Sequence, residues 1–195
     1  MTQVSSRASS LNIPNLLTYG RILTVPGLVA VMLVMPGTDG RWIAALLFVA
    51  ASVSDFLDGY LARAWDQQSA IGRMLDPIAD KLLVGAALLM LVHAGTIKGW
   101  AIVPAVVILC REILVSGLRE FLAELQVKLH VSWLAKWKTV MQMVAFSLLL
   151  AAPGADQLLP GLTFVAITLL WLAALMTIWT GYGYLRAAVD HALKA

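Results

Sequence analysis

Four aspartates carry most of the chemistry available to this chain. Asp55 and Asp58 form one pair and Asp76 and Asp80 a second, within the segment DFLDGYLARAWDQQSAIGRMLDPIAD. The sequence around them is 61% hydrophobic. Carboxylates in so apolar a setting are costly unless cations pair with them, so their clustering points to function. A set of oxygen ligands of this kind suits Mg²⁺ or Mn²⁺ bridging phosphate groups. One divalent ion would leave the four carboxylates strongly anionic, whereas two roughly balance them, and two metals suit displacement at phosphorus. Asp80, farthest along the segment, is the expected base toward an attacking hydroxyl.

Two helices must position these acids. At about 100° per residue, Asp55, Asp58, Gly59 and Ala62 share one helix face, and Gly72, Asp76 and Asp80 share a face of the next helix. A short connection is expected to make the two helices antiparallel neighbours whose acidic faces meet around one cavity. Gly59 and Gly72 add no bulk there, so a ligand can approach the backbone. Arg63 and Arg73 fall at the cavity mouth, where guanidinium groups suit phosphate. A single acid within a membrane is often only a helix-pairing group. Four on two matched faces, with glycines between them, exceed that role. An ion or proton pathway is the competing reading, but it would spread acids through the membrane depth, often on broken helices.

The rest of the chain fits an all-α polytopic membrane protein. Its 195 residues have a mean hydropathy of +0.85. The charged fraction is 13%, about half that of a soluble domain. Apolar runs near the length needed to cross a bilayer predict six spans, at about 16–35, 42–64, 72–94, 100–121, 136–152 and 161–185. Pro36-Gly37, Gly95 and Pro153-Gly154 are expected to end the first, third and fifth. Asn12 before Ile13-Pro14 predicts a short interfacial helix ahead of the first span. The segment from Glu120 to Ser132 is amphipathic enough to lie at the surface. Residues 1–11 are Ser-rich and expected to be mobile, and 12–195 read as a single domain because no polar linker divides the helices. The first apolar run is long and lacks a small-residue cleavage site, so it reads as a retained helix. Cys110 is the single cysteine, which excludes an intrachain disulfide.

Basic residues set the expected orientation. Arg7, Arg63, Arg73, Arg119, Lys128, Lys136, Lys138, Arg186 and Lys194 fall on one side of six spans, and Arg41 and Lys98 on the other. The positive-inside rule then places both termini, and the aspartate segment, toward the cytoplasm. The net charge of +3 follows from this bias. Arginines scattered over short loops form no stripe for nucleic acid.

The motif residues spell D-x2-D-G-x2-A-R-x8-G-x3-D-x3-D, here Asp55, Asp58, Gly59, Ala62, Arg63, Gly72, Asp76 and Asp80, with no departure. Eight fixed positions at fixed spacing are a specific signal, and the segment resembles the CDP-alcohol phosphotransferase family of membrane enzymes. The resemblance implies a six-helix fold, a homodimer, a divalent-metal pair on the four aspartates and the base role for Asp80. Around a CDP-linked donor it implies contacts from Gly59, Arg63 and Ser69 and from the stretch Thr18 to Arg21. Ala62, Gly72 and Arg73 complete the expected donor surface. Asn12 to Leu23, Arg111 to Glu124 and Val131 to Met143 are similar to bacterial members of the family that use glycerol 3-phosphate. The resemblance thus implies an inner-membrane enzyme that joins CDP-diacylglycerol, drawn from membrane lipid, to sn-glycerol 3-phosphate. Inositol phosphate or serine are the alternative acceptors.

Glycerol 3-phosphate is a dianion, and Arg111, Arg119, Lys136 and Lys138 are the candidate groups for its phosphate. An arginine inside a span, as Arg111 would be, is expensive unless it meets an anion. Its alternative is an internal pair with Glu112, Glu120 or a motif aspartate. Lys136 and Lys138 have an alternative as interfacial snorkelling residues, and Arg21 faces the same choice between donor phosphate and ion pair. Trp42, Trp100, Trp133 and Trp137 fall near expected membrane surfaces, as aromatic belts do. His93, His130 and His191 have no ligand-like spacing. Trp171, Trp179, Tyr182 and Tyr184 are left between lipid and a partner subunit.

Overall fold

In a computed structural model, the structure describes residues 13–64, 70–126 and 133–192, all helical or in short turns. Six α-helices follow in order: α1 (Ile13–Val34), α2 (Thr38–Ala64), α3 (Ala70–His93), α4 (Ile102–Glu124), α5 (Trp133–Leu158) and α6 (Leu162–Ala192), with a 3₁₀ turn at Gly99–Ala101 before α4. Five of them are long and apolar enough to cross a membrane. The sixth, α3, is 24 residues long but carries Asp76, Asp80 and Lys81 in its first half, which lowers its apolarity.

The helices pack as a ring in the order α1, α2, α5, α6, α4, α3. Each contributes to one core, with Leu28 and Met32 from α1, Phe48 from α2, Leu83 and Leu91 from α3, Ile108 from α4, Phe146 and Leu149 from α5 and Leu170 from α6. Phe48 and Phe146 meet edge to face with ring centroids 5.9 Å apart. Buried alanines line the closest contacts, among them Ala44, Ala45 and Ala51 on α2, Ala145, Ala151 and Ala155 on α5, and Ala166, Ala173 and Ala174 on α6. Small side chains let helix backbones approach, and inside a lipid phase that close packing drives association.

The helix limits differ from the sequence expectation at several places, α6 for one running on to Ala192 rather than ending near 185, and three of them have a local meaning. Ile13-Pro14 does not open a separate interfacial helix. It starts α1 itself, because proline is tolerated in a first turn where its missing N–H has no helical partner anyway. The expected surface segment Glu120 to Ser132 begins inside α4, which runs on to Glu124, and 127–132 lie outside the described residues, as do 1–12. Pro153-Gly154 does not end α5, which continues to Leu158.

The last difference has a local cause. A proline at 153 removes the donor that Leu149 would receive in a regular helix. Arg41 replaces it: Nη2 donates to the Leu149 carbonyl at 2.7 Å and Nε to the Leu150 carbonyl at 2.9 Å. The same Nη2 donates to Thr96 Oγ1 at 2.6 Å. Arg41, expected in a loop, is therefore a buried residue of α2 that satisfies the carbonyl a proline left open and also bonds the next one. Gly154 is required at the same level, since a Cβ there would sit 2.3 Å from Trp42 Nε1. The chain turns later, at Gly161 with φ +93°. Asp156 accepts from the Thr163 backbone N–H at 3.0 Å and from its hydroxyl, capping α6 from the preceding helix.

Candidate active site

Helices α2 and α3 are not the close neighbours expected from their short connection. They touch over only a few residues, and α1 packs against both. The aspartates are consequently held by α1. Arg21, fully buried, pairs with Asp55 at 2.5 Å. Thr18, also buried and one turn earlier, donates its hydroxyl to Asp76 at 2.7 Å. Positions 18 and 21 share a helix face, so one stripe of α1 reaches an acid on each of the two motif helices. Lys81 meets Asp80 at 3.2 Å.

Asp55, Asp76 and Asp80 line one polar cavity of about 220 Å³ together with Lys81, Arg111, Glu112, Ser116, Arg119 and Glu120. Asp55 and Asp80 also line a second, larger space of about 530 Å³ between α2 and α5. Its other walls include Val49, Val53, Phe56, Leu83, Val140, Met143, Val144 and Leu148. The hydroxyls that face this groove are turned inward. Ser52 donates to the Phe48 carbonyl at 2.8 Å, Ser147 to Met143 at 2.8 Å and Thr139 to Ala135 at 3.1 Å. Such back-bonding to the preceding turn leaves a largely apolar surface despite three hydroxyl side chains.

The expected site residues therefore fall into three groups. Thr18, Arg21, Asp55, Asp76 and Asp80 are brought together. Gly72 is buried near the start of α3. For Asp58, Gly59, Ala62, Arg63 and Arg73 only the backbone is described, and Ser69 lies outside the described residues. Among the described residues no three acids are close enough to enclose an ion by themselves. Asp55, Asp76 and Asp80 nevertheless line one space, with Asp58 one turn beyond Asp55 on the same helix. An all-oxygen, carboxylate-rich donor set fits Mg²⁺ or Mn²⁺.

The four basic candidates for the acceptor phosphate separate as well. Arg111 and Arg119 line the polar cavity, whereas Lys136 is exposed and outside it. Lys138 is buried and pairs with Glu112. Arg111 lies against α6, its Nε donating to the Thr177 carbonyl at 3.0 Å and Nη2 to Thr180 Oγ1 at 3.1 Å. This close lie depends on Gly181, where a Cβ would stand 3.2 Å from Nε. Arg111 also meets Glu112 at 3.3 Å, the internal pair that was its alternative. The Arg119 guanidinium stands over the Tyr184 ring, 5.5 Å from its centroid. Tyr184 is accordingly buried, while Trp179 and Tyr182 of the same helix face outward.

Lys81 is the residue that motif reasoning passed over. It contacts Asp80 and Glu112, each at 3.2 Å. The signal was present: a lysine directly after a motif aspartate, within an apolar helix, has the same need for an anion that singled out Arg111.

A family model for CDP-alcohol phosphatidyltransferases matches residues 11–179. A Rickettsia bellii protein named CDP-diacylglycerol–glycerol-3-phosphate 3-phosphatidyltransferase is 45% identical over 180 residues, covering 92% of this chain and 97% of the relative. Proteins of the same name from Haemophilus influenzae and Cereibacter sphaeroides are 42% and 38% identical over 91% and 92% of this chain. With its eight-residue motif placed on α2 and α3 and Asp55, Asp76 and Asp80 lining a shared cavity, the chain belongs to the CDP-alcohol phosphatidyltransferase family.

Proposed function

We propose that this protein transfers the phosphatidyl group of CDP-diacylglycerol to sn-glycerol 3-phosphate, releasing phosphatidylglycerophosphate and CMP. The observation that carries this reading is the shared wall. Asp55 and Asp80 stand between an apolar groove and a small polar cavity that carries Lys81, Arg111 and Arg119 beside its acids. A reaction that joins a lipid phosphorus to a water-soluble phosphate ester needs one substrate on each side of its reacting groups. The diacylglycerol part occupies the groove of α2 and α5. The acceptor occupies the polar cavity, with Lys81, Arg111 and Arg119 toward its phosphate.

Asp55, Asp58, Asp76 and Asp80 would hold two divalent ions, Mg²⁺ or Mn²⁺, as family membership implies. When bound, such ions neutralise the pyrophosphate and stabilise the departing nucleotide phosphate. Arg21 and Thr18 fix Asp55 and Asp76 from α1, so the carboxylates are oriented before the donor arrives. Asp80 takes the proton of the acceptor hydroxyl. The hydroxyl oxygen bonds to the lipid-side phosphorus, and the bond from that phosphorus to the bridging oxygen breaks, with CMP leaving. The names of the relatives support this choice of acceptor over inositol phosphate or serine.

The same reading places the protein in a bacterial inner membrane with both termini cytoplasmic. The excess of basic residues on the side of the aspartate segment supports that orientation. A homodimer is part of the reading through family membership.

The test is CMP release by the purified protein in detergent with CDP-diacylglycerol and Mg²⁺, each acceptor being added alone. Release that depends on glycerol 3-phosphate is the expected result. Release only with another alcohol would overturn the acceptor, and no release with any acceptor or metal would return the transporter alternative.

A further inference from the structure

An acid at the heart of a cavity meant for a dianion has the wrong sign. Glu112 is such an acid. It is buried, it lines the cavity that holds Arg111 and Arg119, and none of the motif chemistry requires it. Its surroundings are unusual. Lys138, on α5, and Arg111, its own neighbour on α4, both approach Oε1, the latter at 3.3 Å. Lys81, on α3, approaches Oε2 at 3.2 Å. One carboxylate thus gathers three cations from three helices. The sum is a net positive cluster, whose members would repel one another in an apolar medium without the anion between them.

Lys81 shows what the arrangement achieves. Its ammonium stands 3.2 Å from Glu112 and 3.2 Å from Asp80. Glu112 therefore shares a cation that would otherwise pair with Asp80 alone. It draws that cation toward the wall where Arg111 already lies against α6.

We propose that Glu112 is a positioning residue for the acceptor phosphate, assembling Lys81 and Arg111 into one cationic wall of the polar cavity. This rests on the assignment of that cavity to the acceptor. Glu112 makes no bond to the phosphate. It acts through Lys81 and Arg111, which it holds together on one side of the cavity. Lys138, behind it, is the buried counter-charge that anchors the carboxylate to α5.

The experiment is steady-state kinetics of Glu112→Gln, Glu112→Asp and the double variant Glu112→Gln/Lys138→Met, varying donor and acceptor separately. Glu112→Gln is expected to raise KM for glycerol 3-phosphate on the order of tenfold, with KM for CDP-diacylglycerol unchanged. Glu112→Asp is expected to recover most of that loss. The double variant is expected to keep the raised KM, because Lys81 and Arg111 still lack their anchor. An unchanged acceptor KM in Glu112→Gln overturns the proposal. So does a parallel fall in every parameter, which would mark a merely structural acid, and so does recovery of the native KM in the double variant, which would reduce Glu112 to a neutraliser of Lys138. Should Glu112→Gln fail to fold, Lys81→Met carries the same expectation for the acceptor KM, and an unchanged value there overturns the proposal. Failure of the acceptor assignment itself is read separately, as native protein that releases no CMP with glycerol 3-phosphate.

Discussion

Asp80 differs from the other described motif acids in what it touches. Asp55 is tied to Arg21 and Asp76 to Thr18, both from α1, whereas Asp80 meets Lys81, a cation it shares with Glu112. A carboxylate that is less firmly held by the scaffold is the better candidate to accept a proton during turnover. Asp80→Asn is accordingly expected to lower kcat by at least about a hundredfold while KM for the donor changes little. CMP-release kinetics with varied CDP-diacylglycerol checks this, and an equal loss of donor affinity would remove the separate base role. At this scale the sequence was most legible for the acids, because four carboxylates at fixed spacing in an apolar chain have few explanations. It was least legible for their partners. Nothing in the spacing says that Thr18 serves Asp76 and Arg21 serves Asp55, since those pairs depend on which helices come to lie side by side.

Arg41 and Pro153 form a pair at the scale of elements. A proline within α5 opens the carbonyl of Leu149, and an arginine from α2 closes it. Arg41→Met is expected to cost about 2–3 kcal/mol, because it strands the buried Leu149 carbonyl and removes a charged donor from Leu150. Pro153→Ala restores an N–H to α5 and should make the loss of Arg41 smaller, giving a coupling of about 1 kcal/mol or more in the double variant. Thermal unfolding of the purified protein in detergent measures both. Gly154→Ala is expected to lower the midpoint too, by about 1–3 kcal/mol of stability, because a methyl group there overlaps the Trp42 indole. Six helices follow from hydropathy alone, but the end of α5 does not. Pro153-Gly154 has the local signature of a stop, and only a side chain more than a hundred positions away reverses it. Hydropathy likewise undervalues α3, whose charges belong to the site.

The ring of helices makes two approaches to one set of acids. One is a groove between α2 and α5 walled by apolar side chains, and the other is the polar, charge-lined space between α3 and α4. If the groove holds acyl chains, filling it should discriminate by chain length. Met143→Trp is expected to raise KM for a long-chain CDP-diacylglycerol several-fold, roughly the cost of displacing a few buried methylenes, and to leave a short-chain donor nearly unaffected. Kinetics with the two donors in mixed micelles decides it, and equal effects on both would move the chains elsewhere. The arrangement of helices around the groove was not legible in the sequence. The loop joining α2 to α3 invited a direct pairing of the two, whereas α1 packs against both.

The partition formed by Asp55 and Asp80 also bears on the sequence of events in a catalytic cycle. With the donor in the groove and the acceptor in the cavity, as proposed, each substrate would reach the acids by its own route, and the architecture would impose no fixed order of addition. Both must be present together for the hydroxyl oxygen to face the phosphorus across that wall. On that reading the group being moved would pass directly from one partner to the other without residing on the protein. Such a molecule is a meeting place for two phases, in which the acids mark the boundary between oil and water as well as the point of bond exchange.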